Sequence, residues 1–204
     1  MLRPSKKLLV GLSLLLLLTL SGDVSARPDF RKSVARLGDI HEDGKLHEFC
    51  SSWAVRDTVR TVWITAAHCV LTNPDGSLQN LEYRINGQSA KLLKVDWTAD
   101  LAMFDGPTAP GLTVAFGEPK FRQKVFTFTY FLRHGFYSEG ITSVPDEAGR
   151  NYFNITAGPG SSGGAIFADG DLVVGIVQNG ACPYPCTAVW GSSVKDLRAF
   201  IYGE

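Results

Sequence analysis

The chain carries no excess of either charge: 20 Lys+Arg face 20 Asp+Glu. A protein built to hold nucleic-acid phosphates needs a basic surplus, so that partner class is excluded. No internal repeat or low-complexity tract interrupts the 204 residues, which leaves out solenoids and biased tails. Long apolar runs are absent except near the start, from Leu8 to Leu20, and those 13 residues would cover about 20 Å of a hydrocarbon core about 30 Å thick. Long helical periodicity is missing too, until the last dozen residues.

Basic Arg3, Lys6 and Lys7 precede the apolar run and the small residues of VSA follow it. This is the pattern of a secretory signal peptide, residues 1–26, cut after Ala26. A retained membrane anchor is the alternative, disfavoured by the length of the run, and no cysteine stands where lipid attachment would need one. The remaining chain has 17 Lys+Arg against 19 Asp+Glu, so removing the leader uncovers no basic surface. We expect a secreted or periplasmic protein without stable membrane association.

What is present is a series of short runs of β-formers: TVWITAAHCV, LEYRI, AKLLKVDW, VFTFTYFL, YFNIT, AIFADGD and LVVGIVQ. NPDGS, NGQ and VPDEAGRN separate them as turns, and the series reads as an antiparallel barrel or sandwich. One helix is expected, at SSVKDLRAFIYG, with Ser193 and Asp196 as a capping-box-like start and Gly203 as the stop. The proline-bearing DGPTAPGL near Pro110 could join two lobes.

In an oxidising compartment the four cysteines read as disulfides, and four allow three pairings. EFCSSWAV and TVWITAAHC look like the two arms of a hairpin turning near Thr58 to Arg60, which would bring Cys50 to Cys69 and leave Cys182 for Cys186. A metal site from Cys182, Cys186 and a histidine is the rival reading. No CxxC pair or closely spaced histidine pair accompanies it.

GPGSSGG, residues 158–164, places two serines among glycines. A serine hydroxyl attacks only with a base in reach and donors for the oxyanion. Of the four histidines, His68 ends an apolar run beside Cys69, whereas His41 and His47 lie in a charged stretch and read as solvated. The carboxylate best placed to orient His68 is Asp100, which leads into the apolar Leu101 to Phe104; Asp96 and Asp105 are lesser candidates. GSSGG also matches the nucleophile elbow of α/β-hydrolases, but there the histidine follows the serine, and here every histidine precedes it. A phosphate loop would need a lysine after the glycines, and none follows.

TAAHC, TADLA and GSSGG, in this order, resemble the chymotrypsin/trypsin family of serine proteases, in its bacterial or glutamyl-endopeptidase-like branch. The resemblance runs from about Ser33 to the final helix. It implies an all-β fold of two antiparallel six-stranded β-barrels with the active-site cleft between them and a C-terminal α-helix. Residues 27–112 would form the lobe with His68 and Asp100, and residues 113–204 the lobe with Ser162. It further implies a trypsin-like endopeptidase acting on protein or peptide substrates through an acyl-enzyme, with no metal or organic cofactor. In this family the oxyanion is held by the amides of the nucleophile and of the residue two before it. Ser161 would pair with Pro159, which has no N–H; Ser162 pairs with Gly160. Gln178, Asn179 and Gly180 would align substrate backbone as an added strand, and Thr156 would floor the primary specificity pocket, favouring small or apolar side chains.

Two departures matter. Ser161 stands where trypsin-like zymogens keep an acid, and SVARLGDI replaces an IVGG-like amino terminus, so activation should proceed without that ion pair. The alternative function is a protease-fold binding module with weak or no activity.

Overall fold

Turn chemistry divides the chain into strands much as the sequence suggests. The computed structural model describes residues 30–203 apart from 42, 58, 74, 80, 144–149, 170–171 and 182–187. The expected signal segment, Cys182 and Cys186 lie outside the described residues. Strands β1 (Val34–Ile40), β2 (Leu46–Arg56), β3 (Thr61–Thr65), β4 (Glu82–Ile85), β5 (Gln88–Ser89), β6 (Lys91–Asp96) and β7 (Leu101–Asp105) form one sheet in the order β5-β4-β1-β2-β3-β7-β6. Strands β8 (Ala115–Phe116), β9 (Lys124–Phe131), β10 (His134–Thr142), β11 (Asn151–Asn154), β12 (Ala165–Ala168), β13 (Leu172–Ile176), β14 (Asn179–Ala181) and β15 (Ala188–Gly191) form the other, in the order β14-β15-β11-β10-β9-β12-β13-β8. Both sheets curl into the two-barrel arrangement. Without the short β5, and without the short β8 and β14, each keeps the six strands expected. The β8–β13 pair is parallel, the exception in an otherwise antiparallel set.

The β2–β3 hairpin turns as anticipated because Asp57 Oδ1 accepts the amides of Val59 and Arg60, both at 2.7 Å, in an aspartate-capped turn. Asn86 and Gly87, with φ of 48° and 77°, make the tight turn between β4 and β5. Strand β10 was not legible as a strand in the sequence. Its turn from β9 consists of Leu132 and Arg133, both left-handed at φ 45° and 69°, where glycine or asparagine would ordinarily announce the reversal.

Three apolar clusters hold the fold. One fills the first barrel around Leu37, Trp63, Ile85 and Phe104, and one the second around Phe153, Ile155, Ile166 and Val174. The third joins Trp53, Ile64 and Leu101 of the first sheet to Phe167, Val173 and Ile176 of the second. The helix α1 (Val194–Tyr202) closes this shared cluster with Leu197, Phe200 and Ile201. It begins as expected: Ser193 accepts the Asp196 amide at 3.1 Å, and Gly203 ends it at φ 76°. Lys94 of β6 reaches the last turn, 3.0 Å from the Phe200 carbonyl, where a cation complements the helix dipole.

Cys50 on β2 and Cys69, in the one-turn 3₁₀ helix Ala67–Cys69, are joined in a disulfide across a sequence separation of 19. Closing a loop of that length removes chain entropy from the unfolded state, so replacing both cysteines by alanine is expected to cost about 3 kcal/mol. Urea unfolding of the pair variant checks this; an unchanged midpoint would contradict it.

Candidate active site

His68 does not end strand β3 itself, which stops at Thr65; it lies in the 3₁₀ turn that follows, with its side chain 46% exposed. Asp100 precedes β7 and holds His68 twice. Its Oδ1 accepts the His68 backbone amide at 2.8 Å, and its Oδ2 lies 2.8 Å from Nδ1. A carboxylate can only accept, so Nδ1 carries the proton and Nε2 keeps its lone pair. Nε2 has no partner among the described residues. The two lesser candidates are occupied elsewhere: Asp96 accepts the amides of Thr98 and Ala99, and Asp105 faces Arg60 at 3.4 Å.

Asp100 takes a left-handed backbone, φ 52°, which a non-glycine residue adopts at some cost. The second sheet holds it there. Gln178 Nε2 donates to the carbonyls of Ala99, at 2.7 Å, and Asp100, at 2.9 Å, and also contacts Ser192 Oγ, which itself donates to Ala99 at 2.6 Å. Gln178 therefore faces the acid's backbone, while its own amide donates to Trp190 at 3.1 Å. Asn179 and Gly180 lie on β14, the edge strand of the sheet. Thr156 is placed by Ser138, whose hydroxyl accepts its amide at 2.8 Å.

The two serines of GPGSSGG have opposite environments. Ser161 is fully buried; its hydroxyl lies 3.1 Å from Thr129 Oγ1 and accepts the Gly158 amide at 3.3 Å. Ser162 is partly exposed, and its hydroxyl has no partner among the described residues. The loop's amides show a matching division. Those of Gly158, Ser161, Gly163 and Gly164 all donate within the protein, and Pro159 has none to donate. Only the amides of Gly160 and Ser162 lack an acceptor among the described residues.

Ser51 fixes this loop against the first sheet. Its amide donates to the Ser162 carbonyl at 2.8 Å, its hydroxyl donates to the Gly160 carbonyl at 2.7 Å, and that hydroxyl accepts the Tyr130 amide at 2.8 Å. Cys50 precedes Ser51, and its disulfide partner follows His68, so Ser162 and His68 are tied to one short stretch of β2. Their side chains are not hydrogen-bonded to each other. Glycine is required at 163: φ is 88°, and a Cβ there would stand 2.1 Å from Thr65 Oγ1 and 2.2 Å from the Ser51 carbonyl. Ser51 escaped the sequence reading, although two adjacent serines inside the apolar FCSSWAV were a usable signal, because a buried hydroxyl must find partners.

No protein-family model matches the chain, and no curated protein matches it significantly. Solved structures do. A thermostable serine protease, AL20, from an extremophilic microorganism superposes with a TM-score of 0.60 at 17% identity, over 80% of this chain and 91% of that one. The Rv3671c protease of M. tuberculosis, in its active form, gives 0.62 at 19% identity, over 84% of this chain and 82% of that one. The likeness establishes the architecture: this chain has the two-barrel, chymotrypsin-like fold that these serine proteases share.

Proposed function

We propose that this protein is an exported serine endopeptidase that cleaves peptide bonds by acyl transfer. The observation that carries the reading is the pair of unfilled amides, Gly160 and Ser162, in a loop whose other N–H groups are paired. Two unfilled donors in one loop suit an oxygen that becomes negative during reaction, and each such donor contributes about 3 kcal/mol to the transition state. Ser162 Oγ attacks the substrate carbonyl carbon while His68 Nε2 takes its proton. The tetrahedral oxyanion sits on the two amides. Collapse breaks the C–N bond, His68 returns the proton to the leaving amine, and water releases the acyl group by the same steps. Asp100 orients His68 through Nδ1. The Ser162–His68 hydrogen bond, absent from the resting molecule, forms when substrate binds.

Residues 27–112 and 113–204 together form the peptidase unit, with Asn179 and Gly180 offering an edge to substrate backbone and Thr156 lining the primary pocket for small or apolar side chains. The Cys50–Cys69 disulfide supports export, after loss of residues 1–26. Ser161 has Thr129 and the Gly158 amide as its partners, so no charge at that position calls for a new amino terminus, and activation proceeds without that pairing.

A fluorophosphonate probe should label Ser162. Labelling should vanish in Ser162→Ala and survive in Ser161→Ala; no labelling of the folded mature protein would overturn the reading. Gln178 acts on Asp100 through backbone, as a positioning residue. Gln178→Leu should slow labelling about tenfold or more, as expected when a reacting group shifts by a fraction of an ångström, while thermal unfolding still reports a folded protein. Unchanged labelling would remove Gln178 from that role.

A further inference from the structure

At the far end of the β1–β2 hairpin, Asp39, His41, Asp43 and His47 gather around a cleft that Leu71, Gln79 and Leu81 complete. Asp39 is fully buried, and neither carboxylate oxygen accepts a hydrogen bond from the described residues. Strand register sets it between His47 of β2 and Tyr83 of β4. Tyr83 gives no relief. Its hydroxyl accepts the Leu71 amide at 3.1 Å, and burial first, then the charge of Asp39, push its phenol above the ordinary value.

His41 is the group that approaches: its Nε2 lies 3.3 Å from Asp39 Oδ1. It also stacks on His47, with ring centroids 3.9 Å apart and planes 19° apart, and His47 Nε2 lies 3.9 Å from Asp43 Oδ1. Lys45 holds Asp43 through both oxygens, its ammonium 3.1 Å from Oδ2 and its amide donating to Oδ1 at 3.0 Å, and Oδ1 also faces the histidine. The buried carboxylate is the part of this arrangement least compensated by its surroundings. A fully buried carboxylate costs several kcal/mol unless a positive group or hydrogen-bond donors compensate it, and among the described residues His41 is the one group at ion-pair distance. His41 and His47, read from the sequence as solvated, are organised by a carboxylate that the sequence did not reveal as buried.

We propose that Asp39, His41 and His47, with Asp43 as the fourth donor, bind a divalent transition-metal ion of the zinc class. A bound ion would place positive charge beside the buried Asp39 carboxylate and take the imidazole nitrogens as ligands. Mixed imidazole and carboxylate donors suit zinc and cobalt rather than calcium or magnesium. The donors stand as two pairs instead of a closed cage. His41 and His47 are each nearly half exposed, at 48% and 45%, so their rings can turn onto an ion at about 2.0–2.1 Å, and Asp43, 47% exposed, can exchange its Lys45 contacts for the ion. Cys50, His68 and Cys69 also bring potential ligand atoms together, but those sulfurs are bonded to each other and are not thiolates.

The test is zinc titration of the chelator-stripped mature protein by calorimetry, with cobalt as a spectroscopic substitute. One ion per chain is expected. His41→Ala and His47→Ala should each weaken it at least about tenfold, the loss typical of disturbed metal sites, and should abolish the visible cobalt bands. Both are surface changes that spare folding, and unfolding midpoints verify this. His68→Ala should bind zinc as the parent does. Absence of stoichiometric zinc binding, unchanged affinity in the His41/His47 double alanine variant, or loss of binding in His68→Ala would each overturn the assignment.

Discussion

Four hydrogen bonds at one buried serine organise the candidate site. Ser51 binds the loop of Ser162 through its amide and hydroxyl, accepts the Tyr130 amide, and receives Thr65 Oγ1 on its carbonyl at 2.7 Å. It therefore joins two strands of the first sheet, β2 and β3, to β9 and the serine loop of the second. The hydroxyl is worth more than its bond count, because removing it would strand two backbone partners, the Gly160 carbonyl and the Tyr130 amide, away from water. The covalent bond at the preceding residue extends the same anchor to His68. What would otherwise be a long-range coincidence between residues 68 and 162 becomes a local matter at residues 50 and 51.

The acid is positioned by the reverse arrangement. There the second sheet reaches into the first: Gln178 and Ser192 hold the carbonyls of Ala99 and Asp100, and Asp100 keeps an uncommon backbone angle as a result. Each half of the site is thus fixed by the opposite sheet. The orientation of Asp100 depends on contacts more than 70 residues away in the chain, which is why its neighbours in sequence reveal only part of its role.

Much of this was legible from local pattern. Asn86-Gly87, the Asp57 turn and the Ser193 cap each carry their own signal, and each appears where expected. Pro159, taken with the oxyanion pairing that the family resemblance implies, pointed to Ser162 over Ser161, and the buried hydroxyl of Ser161 has the environment of an anchor. What was not legible depends on tertiary context. Leu132 and Arg133 adopt a conformation that their side chains disfavour, so no residue type marked the start of β10. Asp39 looks like any polar residue of a charged turn until β2 and β4 close over it. Gln178 occupies a position that family resemblance assigns to substrate alignment, and only the folded chain shows its side chain turned to the acid.

The apolar cluster shared by the two sheets and α1 bears on how the molecule comes apart. Trp53, Leu101, Phe167 and Leu197 lie in one continuous core, so neither barrel can lose its packing without exposing the face of the other. Such a chain should melt as one cooperative body rather than lobe by lobe. Few partly open forms then present a cleavable strand, and resistance to proteolysis is governed by rare global opening. The short terminal helix, remote from His68 and Ser162 in sequence, helps to keep that opening rare.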